Sequence, residues 1–215
     1  MRRLLLSLNK VIINIPSDGI LPGIPVNPEP EANNKIHYTS TGSTITPYST
    51  TAFGSTIISN TLDSSKNMYV LEFNGDVTSC GSNAFRNRSD LVNVILPNTV
   101  TTIGDRAFYY CSSLSSINTG ENVTSIGASA FSTCNLTNIL LGSNLKTIGQ
   151  YAFYGCEALE KIYCKAETPP TGAYGMLEGI AETAKIYVPK NSVDAYKSAK
   201  YWSDYADFIE EYNFN

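Results

Sequence analysis

Residues 100–119 read V-T-T-I-G-D-R-A-F-Y-Y-C-S-S-L-S-S-I-N-T. Between Val77 and Pro170 this pattern occurs four times, with copies beginning at Val77, Val100, Val123 and Leu145. Its glycines fall at Gly81, Gly104, Gly127 and Gly149, in steps of 23, 23 and 22. Phe85, Phe108, Phe131 and Phe153 keep those steps. Leu91, Leu114, Leu136 and Leu159 follow, with one residue missing before Asn135 in the third copy. A period of this length predicts a solenoid, in which each copy is one supersecondary unit that cannot bury its apolar face alone. In the second copy the inward slots are Val100, Ile103, Ala107, Phe108, Cys111, Leu114 and Ile117. Stacking sets like on like, so the four phenylalanines are expected to form one spine. Gly104 and its equivalents are expected where the backbone passes closely or takes a positive φ.

The motif V-T-S-I-G-x-x-A-F-x-x-C-x-x-L-x-x-I-x-L-P resembles the BspA-like family of leucine-rich repeats, common in surface proteins of anaerobic bacteria. Three copies match it closely. The first departs from it, with Cys80 in the isoleucine slot and Arg88 in the cysteine slot. The VP-x-x-S-V-x-A-Y-K and W-S-D-Y-A stretches near the end also look like the C-terminal part of that family, so the resemblance runs from about Lys35 onward. It implies a leucine-rich-repeat fold, an extracellular or cell-surface location and a binding or adhesion role. It names no ligand and no cofactor.

Composition narrows the function classes. A formal charge of -4 and a pI near 5.0 argue against a nucleic-acid or anionic-membrane partner, since both want a basic surface. Only 16% of residues are charged, while Ser, Thr and Asn abound, which predicts a hydroxyl- and amide-rich surface. Of five cysteines, Cys111, Cys134 and Cys156 share one repeat slot. The spacing favours a ladder of buried thiols over disulfides or a metal site, and the sequence has no C-x-x-C. A monomer is expected.

The N-terminus carries Met1-Arg2-Arg3 before Leu4-Leu5-Leu6, as a secretory leader does, but Asn9 and Lys10 interrupt the apolar run. No stretch approaches the ~20 apolar residues of a membrane span. From Ile15 to Glu31 five of the residues are proline, which predicts an extended tether. Four segments are therefore expected: a leader and tether over 1–34, a β-hairpin cap over 35–76, repeats over 77–170, and a degenerate last repeat with a helical cap over 171–215.

Residues 35–47 are expected to form a hairpin about Ser40-Thr41-Gly42, and residues 54–73 a second, turning at Asp63–Asn67. Spacing places a ladder strand at each of 68–73, 91–96, 114–119, 136–141, 159–164 and 183–188, six in one parallel sheet. Leu177 falls in the phenylalanine slot of the last repeat. In the tail, Asn191 is expected to cap a helix with Asp194 at its third position, running to about Lys200. Tyr205, Phe208, Ile209 and Tyr212 then recur at helical spacing, predicting a second helix. Tyr201, Trp202 and Tyr205 read as packing residues of that end rather than a sugar platform.

No catalytic constellation emerges. His37 is the single histidine, and nothing near it in sequence supports a triad. H-E-x-x-H, G-x-S-x-G, P-loop and calcium-loop patterns are absent. No catalytic, cofactor or metal residue is therefore expected. Function is expected on the outward strand positions, centred on Asn93, Ile95, Asn118, Asn138, Leu140 and Tyr163, where a protein or glycan partner would bind. The competing expectation is a structural spacer or capping unit that binds nothing itself.

Overall fold

A computed structural model describes residues 32–214. The leader and most of the tether, residues 1–31, lie outside the described residues. The chain opens with β1 (Lys35–Ser40), β2 (Ile57–Asp63) and β3 (Met68–Phe73). Short and longer strands then alternate: β4 (Ser79–Cys80), β5 (Leu91–Ile95), β6 (Thr102–Ile103), β7 (Ser116–Asn118), β8 (Ser125–Ile126), β9 (Asn138–Leu141), β10 (Thr147–Ile148), β11 (Lys161–Cys164) and β12 (Lys185–Pro189). The tail holds a 3-10 turn at Lys190–Ser192, helix α1 (Val193–Ser198), a 3-10 segment at Ser203–Phe208 and β13 (Ile209–Tyr212). This is a leucine-rich-repeat fold, mostly strand, with two kinds of parallel ladder.

Each repeat contributes one rung, zipped to the next on three sides. The short strands β4, β6, β8 and β10 form a four-stranded parallel sheet, with Cys80, Ile103, Ile126 and Ile148 in register. Cys80 thus fills the isoleucine slot as its position in the repeat predicts. The turns after them bond rung to rung through alternate residues. The Arg106, Phe108 and Tyr110 N–H groups donate to the carbonyls of Ala128, Ala130 and Ser132, at 2.9, 2.7 and 3.0 Å. The longer strands supply the third side.

Close stacking explains the glycines. A Cβ on Gly104 would stand 2.5 Å from the Ser82 nitrogen, and one on Gly127 2.5 Å from that of Asp105. Neither takes a positive φ, so close approach, not backbone freedom, demands glycine here. Inside, the phenylalanine spine is present. Phe85–Phe108, Phe108–Phe131 and Phe131–Phe153 stack at 5.4, 5.3 and 5.2 Å, nearly parallel. Phe53 extends the spine upstream at 5.6 Å from Phe85, and buried Leu177 occupies the same slot downstream. All five cysteines are free and buried. The Cys111, Cys134 and Cys156 thiols donate to the carbonyl oxygens of Phe85, Phe108 and Phe131, each one rung back.

Four expectations need correction. The six ladder strands do not form one parallel sheet: β1 inserts antiparallel between β3 and β5, and β7 and β9 fall in separate sheets. Ile36 and Tyr38 of β1 enter the core there, fully buried, so the inserted strand supplies side chains to the first rung. Nor do residues 35–47 form a hairpin. Ile45 is held by side chains instead of a ladder: its N–H donates to the Tyr38 hydroxyl at 2.8 Å and its carbonyl accepts from Asn60 Nδ2 at 3.0 Å. The second hairpin forms as expected, from β2 and β3.

The tail differs too. Asn191 lies inside the 3-10 turn, and α1 begins at Val193 with no side-chain cap bond and ends at Ser198. The segment expected as a second helix is 3-10 only to Phe208; Ile209–Tyr212 is a strand, parallel to β12. The open edge of β12 offers a full row of backbone partners, which outweighs a helical apolar spacing of two turns. Trp202 is fully buried, donates to the Pro170 carbonyl at 2.7 Å and meets Tyr196 edge-on at 4.9 Å. That is packing, as its spacing suggests.

Candidate functional site

Strand alternation sends every second side chain of the longer strands away from the core. Register sorts the outward residues into two rows. In the first, Asn93 is opposite Ser116, and Asn138, Lys161 and Lys185 are opposite one another. In the second, Ile95 is opposite Asn118, and Leu140, Tyr163, Tyr187 and Glu210 align. The six residues singled out in the sequence therefore share one face but not one row: Asn93 and Asn138 stand in the first, the other four in the second.

Their surroundings differ. Asn93 Nδ2 donates to Thr39 Oγ1 of β1 at 2.8 Å, so the inserted strand ties it down. Asn118 Oδ1 accepts from the Gly120 N–H at 3.0 Å. Asn138 Nδ2 donates to Thr137 Oγ1 at 3.3 Å. These amides, with Ile95 and Leu140, are half-buried. Tyr163 is only 3% exposed, although it lies on the outward side. Tyr187 stacks on it at 5.0 Å, and Tyr212 meets it edge-on at 5.4 Å. Burial, then the neighbouring Tyr187 and Tyr212, push the Tyr163 hydroxyl pKa upward.

Tyr163, Tyr187 and Tyr212 close a triangle, since Tyr187 and Tyr212 are 5.4 Å apart, and Phe214 adds to it at 4.9 Å from Tyr212. Tyr212 and Phe214 escape a helical reading of the tail. Their alternation, two residues apart, is the strand signal that would have found them. Beside this cluster Lys185 bonds Glu210 at 2.5 Å, and that hydrogen bond followed by the carboxylate's charge raises the lysine pKa. The face thus grades from amides in the middle rungs to packed aromatic rings at the C-terminal end. Such a surface holds groups rigidly and offers hydrogen bonds with apolar anchors.

His37 sits on β1 opposite Val70 and Ile95, on the side away from the core, while the thiols lie inside. Among the described residues no group of three or more His, Cys, Asp or Glu side chains is placed to hold a metal ion. No helix among them is long and apolar enough to cross a membrane.

These rungs define a leucine-rich repeat protein. Residues 34–160 and 78–199 match the BspA type leucine rich repeat region, in six copies, and the chain belongs to that family. The match indicates no enzyme family. Three solved structures are similar to the chain at low identity. A leucine rich cell surface protein from Faecalibacterium prausnitzii is 23% identical with a TM-score of 0.42, over 65% of this chain and 31% of that one. The pneumococcal vaccine antigen PcpA is 19% identical with a TM-score of 0.46, over 63% of this chain and 42% of that one. A leucine-rich repeat protein from Bacteroides ovatus is 21% identical with a TM-score of 0.32, over 60% and 45%. The chain therefore spans less than half the length of each. No curated protein matches it.

Proposed function

We propose that the chain is a non-enzymatic, cell-surface or secreted interaction module, a right-handed solenoid closed by its terminal elements, that binds a protein partner through the outward strand face. The segment boundaries read from the sequence carry over into this proposal: tether to residue 34, cap to 76, repeats to 170, closing end to 215. The observation that carries it is the aromatic triangle of Tyr163, Tyr187 and Tyr212 beside Leu140 and the amide rows. Rigid aromatic and aliphatic anchors among adaptable hydrogen-bonding groups suit protein recognition. The rungs fix these groups before binding, which lowers the ordering cost. Membership of a family common on bacterial surfaces supports the location.

The second reading is a structural spacer within a larger surface assembly. It is favoured by the ties already made on the face, above all Asn93 to Thr39 and the half-burial of every amide. Adhesion to an immobilised extracellular-matrix preparation separates the two. Asn118→Asp keeps an acceptor for Gly120 while adding charge, and Leu140→Asp adds charge to a side chain outside the core. On the binding reading the double variant loses adhesion with its circular dichroism unchanged. Adhesion by wild type and double variant alike removes the strand face as the site, and no adhesion by either leaves the spacer.

A further inference from the structure

Away from the strand face, the turns that follow the short strands gather arginine at one end. Every arginine among the described residues, Arg86, Arg88 and Arg106, lies in the turns of the first two repeats. None of the three makes an ion pair with a described carboxylate. The Arg86 guanidinium lies over two rings, 5.8 Å from the centre of Tyr48 and 5.7 Å from that of Tyr109. Tyr110 meets Tyr109 edge-on at 4.8 Å. The loop that carries Tyr48 is fixed to the same turn, because the Tyr48 N–H donates to the Ala84 carbonyl at 2.8 Å. Tyr48 is 57% exposed and Tyr110 50%. The rings hold the guanidinium by cation–π attraction, which leaves its N–H groups unspent.

Arg88 departs from the repeat, since the next three copies put a buried cysteine in its slot. Arg86 and Arg88 are half-buried, and the Nε of each is shut off from solvent with no hydrogen-bond partner among the described residues. Their Nη groups make no hydrogen bond to a described residue either. Two cations so placed lose hydration and gain no counter-charge in return. What the pair lacks is an anion.

We propose that this arginine–tyrosine patch binds an acidic peptide segment of a protein partner, with the Arg86 guanidinium taking a carboxylate and Arg88 supporting the charge. Arginine grips a carboxylate through two parallel N–H···O bonds, which fixes its orientation as well as its charge. The exposed rings of Tyr48 and Tyr110 offer apolar cover to the residues on either side of that carboxylate. Tyrosine and arginine are the residue types that dominate protein-binding surfaces. A dense polyanion, such as a nucleic acid or a sulfated glycan, fits less well. Asp90 and Asp105 stand in the same two turns, and the whole chain carries a charge of -4. A run of anionic groups meets repulsion there that a peptide with one or two carboxylates avoids. The patch lies on the turns, so this inference does not rest on the strand face.

The test pans a random heptapeptide library on the full chain. Selected peptides and a heparin hexasaccharide are then titrated by fluorescence anisotropy against wild type, Arg86→Gln, Arg88→Gln and Arg86→Lys. Enrichment of Asp and Glu is expected, with a dissociation constant of about 1 mM or tighter that weakens as salt is added. Each glutamine variant should weaken binding about tenfold or more with its circular dichroism unchanged. Arg86→Lys keeps the charge but loses the fork, so it should weaken binding about threefold or more. Arg88 sits beside the core; should its variant fail to fold, the two substitutions of Arg86 decide. Four results overturn the proposal: selected peptides without acidic enrichment, acidic peptides that bind the glutamine variants as they bind wild type, Arg86→Lys binding at full strength, or heparin binding more tightly than every selected peptide.

Discussion

The Cys134 thiol donates to the Phe108 carbonyl oxygen of the preceding repeat at 3.1 Å, and Cys111 and Cys156 repeat the contact one rung to either side. The cysteine slot therefore serves as a hydrogen-bonded tie between rungs. Burial pushes the Cys111 and Cys156 thiols up to about 12 and raises that of Cys134 as well. These thiols should resist iodoacetamide in the native protein at pH 8 and react on denaturation, as read by mass spectrometry. Fast native labelling of all three would contradict the buried ladder.

The same shifts fix a pH dependence. A thiol whose pKa is higher folded than unfolded contributes its full stability below the unfolded value, near 9. That contribution is lost as pH rises from there toward about 12. Melting temperature should fall across this upper range, and Cys134→Ala should flatten the fall. An unchanged profile in that variant would show that the thiol titrates freely.

Phe108 and Phe131 each have a stacked ring on both sides. Either substitution to Ala should lower unfolding stability by about 3–5 kcal/mol in urea titrations, the range for a large buried ring. A loss under about 1 kcal/mol would mean the rungs close over the gap.

The hydroxyl of Tyr212 is buried without a hydrogen-bond partner among the described residues. Tyr212→Phe removes an unpaired polar group while keeping the ring on Tyr163 and Tyr187. It should leave stability unchanged or raise it by about 1–2 kcal/mol. A lower melting temperature would mean that the hydroxyl is bonded in solution.

The repeat made much of this legible. The 22–23-residue period located the rungs, the phenylalanine spine, the thiol slot and the degenerate Leu177. It worked because each slot meets its own kind in the next repeat, so local spacing and tertiary contact agree. Where a segment meets something other than its own kind, spacing misleads. The alternation in K-I-H-Y-T-S specifies a strand but not that β3 and β5 will flank it. Tyr205, Phe208, Ile209 and Tyr212 fit a helix, yet the edge of β12 captures the last four-residue stretch. The candidate face was legible as a set of outward positions. The burial of Tyr163 was not, because the rings that cover it belong to the next repeat and to the misread tail. An acidic substitution at Tyr163 would therefore disturb folding as well as binding.

That tail gives its own prediction. Deleting residues 190–215 removes β13 from β12, Trp202 from Pro170 and the ring of Tyr212 from Tyr163. The shortened protein should aggregate or lose cooperative unfolding, since strand edge and core are exposed together. A monomer with the original melting curve would show that these residues close nothing.

On the proposed function the outward strand face carries the partner. Photo-cross-linking tests it most directly, with benzoylphenylalanine in place of Leu140 on the face or of Ile58, a 61% exposed residue of β2. Protein carrying either probe is bound to the extracellular-matrix preparation and irradiated. A discrete cross-linked matrix protein is expected from position 140 and none from position 58. Adhesion with cross-linking from position 58 and none from position 140 would contradict it.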